Sequence, residues 1–167
     1  MKKRFAISEP LDGILLGVAS GTGFFLVETL IVYVPQTMRA GKYAGTQAFE
    51  GLELLLARGL PNLAGHSAYA GLFGYFIGLS TMRPRAAIFL LPLGWFSAAA
   101  LHGAWDGVDY VAGVNIVSLV IQLAIAIFSY LLLGGAIFRA REISPSLAAA
   151  ATPAASARPS DSDWDHD

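Results

Sequence analysis

Hydrophobic residues group into four long segments along the chain, at about residues 11–34, 63–82, 86–105 and 111–138. Each is close to or above the roughly 20 residues that a helix needs to cross a bilayer. Between the first two, residues 46–59 place apolar side chains at helical spacing opposite a polar side. This stretch predicts an amphipathic helix on the membrane surface or, equally well, a helix packing over the bundle from the aqueous side.

The fold class that follows is all-α. We expect a polytopic membrane helix bundle of about four transmembrane helices plus one interfacial amphipathic helix. Composition agrees, because 55% of the 167 residues are hydrophobic and 14% are charged, whereas soluble domains carry about 25% charged residues. We therefore expect the outer surface of this bundle to contact the lipid bilayer.

Charge and cysteine content exclude several classes of function. The formal net charge is -1, and a nucleic-acid-binding protein would show clustered lysines and arginines instead. The sequence has no cysteine, which rules out disulfides, thiolate metal ligands and a cysteine nucleophile.

Two regions are predicted: a transmembrane helical domain over residues 1–141 and an acidic tail over 142–167 that is rich in alanine, proline and serine. Such a composition is typical of disorder. Most lysines and arginines lie at the N-terminus, in the loop near residue 84 and after residue 138. By the positive-inside rule, both termini are expected in the cytoplasm.

Glu28 lies within the first apolar segment, where a carboxylate costs at least a few kcal/mol unless it is paired, protonated or bound to a metal. It precedes Val34 by six residues, or about 9 Å of helix. His66 falls near the start of the second segment, and His102 and Asp106 fall in the last turns of the third. With alternating helix directions, all four are expected in the outer part of the membrane. His102 and Asp106 also share a helix face, because they are four residues apart.

Glycines repeat every four residues in two of the segments. The first segment has Gly13, Gly17 and Gly21, and the second has Gly74 and Gly78. Small residues at this spacing let membrane helices approach closely. We therefore predict that the helices of these segments pack tightly.

Three ordered blocks over residues 8–106 resemble the PrsW family of intramembrane metalloproteases, which is related to the CAAX-type membrane peptidases. Residues 9–28 read EPLDGILLGVASGTGFFLVE, similar to the family run DGxxYGxxxGxGFxxxEN. Arg58, Gly65-His66 and Gly74-Tyr75 follow in the order of the family's second block. Residues 101–106 read LHGAWD, similar to HGxWN.

The resemblance implies a peptidase site made of Glu28, His66, His102 and Asp106. Glu28, His66 and His102 would surround a metal or an activated water, and Asp106 would orient the substrate carbonyl. Two neutral imidazoles and one carboxylate suit Zn²⁺, whose catalytic sites use three protein ligands and a water. The substrate would be a membrane protein, and the location a bacterial inner membrane.

Departures from the family pattern favour a different interpretation. The family's paired glutamates upstream of the Asp-Gly block are not found, and Thr29 and Asp106 stand where the family has asparagines. The favoured hypothesis is an N-terminally truncated, catalytically degenerate member that serves as an accessory subunit beside other membrane-protein subunits. One alternative is an active minimal metallopeptidase using Glu28, His66 and His102. Another is haem or pigment binding through the histidines.

Overall fold

The computed structural model describes residues 7–36, 38–39, 48–113 and 115–144, apart from the side chains of residues 33, 48–58, 60 and 61. Helix α1 spans Pro10–Glu28 and continues as a π-helical turn, Thr29–Tyr33. Helix α2 spans Ala48–Met82, and a short 3₁₀ turn, Pro84–Ala86, joins it to α3 at Ala87–Ala112. Helix α4 spans Ile116–Ile143. The predicted all-α fold is confirmed, since the described residues contain helices and no strand.

Three helical stretches within the described residues are long and apolar enough to cross a membrane: Pro10–Gln36, Pro84–Ala112 and Ile116–Ile143. They correspond to the first, third and fourth predicted segments. Their large apolar side chains are mostly exposed on the outer surface of the bundle, as at Leu15, Phe89 and Leu131. A soluble protein would bury such side chains, so this surface faces lipid.

The second predicted segment differs from expectation in one respect. Residues 46–59 and 63–82 were expected to form an interfacial helix and a separate span, but residues 48–82 form one continuous helix. Pro61 lies inside it and does not end it, as happens in membrane bundles where neighbouring groups replace the lost hydrogen bond. The predicted tail over 142–167 lies outside the described residues from position 145 onward.

Helices α1 and α2 run antiparallel with their backbones in contact, and this confirms the packing predicted from the glycine repeat. A Cβ atom added at Gly13 would overlap the carbonyl oxygen of Gly74, and one added at Gly21 would overlap that of His66. Such contacts are available only where side chains are absent. Because the two helices lie side by side along their length, α2 sits at the same depth as α1.

Helix α2 is the centre of the bundle and packs against α1, α3 and α4. Its small and polar residues face protein instead of lipid, which explains why it can be less apolar than its neighbours. The buried core formed around it contains Ile14, Ala68, Leu72, Leu133, Ala136 and Ala140.

The turn between α3 and α4 is set by two local features. Gly113 adopts φ of 70°, a left-handed conformation that favours glycine. The Asn115 side chain then accepts hydrogen bonds from the backbone N–H groups of Val117 and Ser118, at 2.9 and 3.1 Å. This cap starts α4 and allows α3 and α4 to pack as neighbours.

Candidate functional site

Glu28 is the last residue of the regular α-helical part of α1, and the π-helical turn begins directly after it. Within that turn the backbone N–H of Val34 bonds to the carbonyl of Thr29. Such turns insert one extra residue per turn and are frequent at functional sites. The Glu28 side chain is 23% exposed, so its carboxylate is largely enclosed at membrane depth.

His66 lies in the interior of α2, with 6% of its side chain exposed. Its Nδ1 is 3.0 Å from the backbone carbonyl oxygen of Asn62. A carbonyl can only accept, so Nδ1 carries a proton and donates it; in the neutral imidazole the lone pair is then on Nε2. Nε2 is buried and has no hydrogen-bond partner among the described residues.

The unpartnered Nε2 of His66 faces the Glu28 carboxylate, with 3.6 Å between Nε2 and Oε2. That separation is too long for a hydrogen bond. A carboxylate oxygen and an imidazole lone pair are both acceptors, and their approach in a buried site is unfavourable unless a proton or a cation lies between them. The Glu28–His66 pair is therefore suited to bind a proton or a metal cation.

His102 of α3 completes a cluster of three side chains from three helices. Its ring contacts the His66 ring edge to face, with 4.7 Å between centroids. Its Nε2 lies 3.4 Å from Oδ2 of Asp106. The side chains of His102 and Asp106 are 35% and 62% exposed, so the cluster is closed on the α1–α2 side and open on the α3 side.

The structure places the four residues singled out in the sequence next to one another in pairs, Glu28 with His66, His66 with His102, and His102 with Asp106, although the two histidines lie further inside their helices than predicted. His66 lies well inside α2 and not in its first turn, because α2 begins at Ala48. His102 is followed by ten more helical residues of α3, which ends at Ala112. Helices α2 and α3 are longer than predicted. Nevertheless, α1, α2 and α3 hold these side chains beside one another.

Sequence reasoning missed Asn62, which lies one turn before His66 and is buried. Its side-chain Nδ2 donates to Oε2 of Glu28 at 3.4 Å, while its backbone carbonyl holds His66. One residue therefore contacts both members of the pair. The signal available was the spacing of four between Asn62 and His66, which puts them on one helix face.

Two other parts of the resembling motifs lie elsewhere. Asp12 accepts hydrogen bonds from the backbone and hydroxyl of Ser8, at 3.0 and 2.7 Å, and so caps the start of α1. Tyr75 packs against the ring of Phe76, with centroids 5.4 Å apart. The side chain of Arg58 is outside the described part of the chain.

The residue types at the cluster fit a transition metal, and one pair also fits in distance. With bonds of about 2.0–2.2 Å and tetrahedral angles, two ligand atoms on one Zn²⁺ lie about 3.4 Å apart, close to the 3.6 Å between His66 and Glu28. A hydrogen bond from the second ring nitrogen to a carbonyl is the usual support of a metal-binding histidine. Among the described residues, however, no group of three or more such side chains is arranged to hold a metal ion.

Together, the apolar helices and the enclosed carboxylate–imidazole pair define a multi-spanning membrane protein with a polar centre between its helices. A family model described as PrsW family intramembrane metalloprotease matches residues 1–133, and the chain belongs to that family. No curated protein and no solved structure matches the chain significantly.

Proposed function

We propose that the chain is a metal-dependent intramembrane peptidase in which Glu28 and His66 hold a Zn²⁺ ion and His102 supplies the third ligand. The observation that carries the proposal is the buried, unpartnered Nε2 of His66 facing the Glu28 carboxylate at 3.6 Å. This pair needs a positive charge, and membership of a metalloprotease family favours a metal ion over a proton.

When bound, zinc would lower the pKa of a coordinated water toward neutrality and so supply a nucleophile. The protein's own residues prepare the ligands. The Asn62 carbonyl fixes the tautomer of His66, and the Asn62 amide holds Glu28. Asp106 lies against Nε2 of His102, the arrangement in which a carboxylate orients a metal-binding imidazole through its second nitrogen.

Aromatic rings restrict water on the closed side of the site. The ring of Phe24 lies 5.1 Å from that of His66, and the ring of Phe25 lies 6.5 Å away. Limited water strengthens electrostatic interactions within the pocket and protects a reactive nucleophile. The open side, at His102 and Asp106, is where we expect a membrane-protein substrate to approach.

The second candidate function is the accessory role: a catalytically degenerate member acting beside other membrane-protein subunits. Two observations favour it. The described residues hold no three-ligand group, and Thr29 and Asp106 stand where the resembling motifs have asparagines. In this case the cluster would be a polar contact between helices, and Glu28→Gln would leave the partner complex intact.

Metal analysis and cleavage mapping on the full chain separate the two candidates. The chain is purified from native membranes in mild detergent, its zinc is quantified, and co-purifying proteins are identified by mass spectrometry. New N-termini in membranes are then mapped in cells producing the wild type or His66→Ala. One zinc per chain with cleavage sites lost in His66→Ala supports the peptidase. Stoichiometric partner subunits without zinc and with an unchanged cleavage map support the accessory role.

Haem or pigment binding through the histidines is tested on the same sample. The edge-to-face contact of His66 with His102 leaves no gap for a macrocycle between the two rings. We therefore expect a visible spectrum without Soret or pigment bands.

We further propose that the chain resides in a bacterial inner membrane with both termini in the cytoplasm, which reporter fusions at each end would check.

A further inference from the structure

Tyr69 is a buried aromatic residue of α2 that lies beside the cluster and belongs to none of the motif blocks. It is 4% exposed. Its ring is nearly parallel to that of His102, with 5.8 Å between centroids and 21° between planes. The ring of His66 is 6.3 Å away. Tyr69 therefore contacts both histidines, which come from different helices.

The contact with His102 is the important one, because His102 has few other restraints. His66 is fixed by its hydrogen bond to Asn62 and by burial. His102 is 35% exposed, and the carboxylate that lies against its Nε2, that of Asp106, is 62% exposed. A polar contact between two exposed side chains of this kind contributes little to holding a geometry. The flat face of Tyr69 is the rigid surface against which the His102 ring rests.

The hydroxyl of Tyr69 is buried and has Ser129 of α4 as a hydrogen-bonding neighbour. The Ser129 hydroxyl itself donates to the Ile125 carbonyl at 2.7 Å. The hydroxyl therefore makes its polar contact with α4, whereas the ring makes the contact with His102. Removing the hydroxyl alone leaves that ring contact in place.

We propose that Tyr69 is a positioning residue, whose ring face keeps the His102 imidazole against His66. The proposal deepens the function proposed above and rests on it for the metal. It predicts that Tyr69→Phe preserves the site, because the ring remains. It predicts that Tyr69→Leu, which keeps an apolar side chain but removes the flat face, frees His102.

The test uses the full chain in detergent, loaded with Co²⁺ in place of zinc, and compares the visible absorption of three variants with the wild type. Tyr69→Phe should show the wild-type spectrum and affinity. Tyr69→Leu should show weaker absorption and at least a tenfold loss of cobalt affinity, the order expected when support of a ligand is lost. Leu79→Ala, at a buried α2 position distant from the cluster, controls for lost packing and should keep the wild-type spectrum.

A metal-independent readout keeps the two proposals apart. In ¹⁵N-histidine-labelled protein without metal, the His102 ring should give one sharp set of resonances in the wild type and Tyr69→Phe, and averaged resonances in Tyr69→Leu. An unchanged His102 signal and cobalt spectrum in Tyr69→Leu would overturn the role of Tyr69. A wild type that binds no cobalt would overturn the proposed metal site, and the His102 resonances would then decide on Tyr69 alone.

Discussion

Adding one methyl group to Gly21 should damage both the fold and the site. A Cβ at Gly21 overlaps the carbonyl oxygen of His66 and lies 2.9 Å from the Cβ of Ala70. Ordinary van der Waals contact begins near 3.4 Å, so in Gly21→Ala the two helices must separate by about 1 Å. Overpacking of this size typically costs about 1–3 kcal/mol of stability.

The same displacement acts on the candidate site, because Gly21 touches the backbone of His66 itself. Moving α1 away by about 1 Å lengthens the 3.6 Å separation between His66 Nε2 and Glu28 Oε2 beyond what one zinc ion spans. A misplacement of about 1 Å can cost a hundredfold in function. We expect the zinc affinity of Gly21→Ala to fall by a factor of roughly 10–100.

Gly23 provides the matched control, since it lies two residues further along the same helix and a Cβ there would meet nothing within 4 Å. Thermal unfolding in detergent and competition with a zinc chelator are measured for both variants. Gly23→Ala should match the wild type in each assay. A Gly21→Ala variant that is as stable as Gly23→Ala and binds zinc equally well would contradict close backbone packing at Gly21.

The remaining predictions concern the polar neighbours of the pair. Asn62→Ala removes the amide that donates to Glu28 at 3.4 Å but keeps the backbone carbonyl that holds His66. Zinc affinity should therefore fall about tenfold, the lower end of the range for a lost ligand-supporting contact. An unchanged chelator-competition curve would show that the amide has no role. Asp106→Asn retains an acceptor at a mostly exposed position and should change zinc affinity less than about threefold. A larger loss would mean that the charge of Asp106, and not its hydrogen bonding, matters.

Much of the architecture could be predicted because lipid leaves few choices. Long apolar segments must be helices there, and small residues at every fourth position of α1 favour close packing over ordinary glycine enrichment. The approach of Glu28 to His66, and of His66 to His102, agrees with alternating helix directions and with the positions of these residues in their segments. Helix formation, helix packing and the approach of these residues depend on composition and on residue spacing, and both can be read from the sequence.

Other features depend on local geometry that leaves a weak trace in the sequence. The amphipathic pattern of residues 46–59 predicted a separate element, yet residues 48–82 form one helix, because neighbouring helices can compensate for the hydrogen bond that Pro61 lacks. The π-helical turn after Glu28 follows no recognisable residue pattern. The roles of Asn62 and Tyr69 come from contacts with α1 and α3, which become visible only when the helices are assembled.

If Glu28 and His66 bind one shared cation, their substitutions must be coupled, and a double-mutant cycle of zinc affinity measures that coupling. The wild type, Glu28→Gln, His66→Ala and the double variant are compared by chelator competition on the full chain. The effects of replacing two residues that bind one ion are not additive. Each single variant should therefore lose most of the zinc affinity, and the double variant little more. Additive losses, or single variants that bind zinc as the wild type does, would contradict a shared metal site.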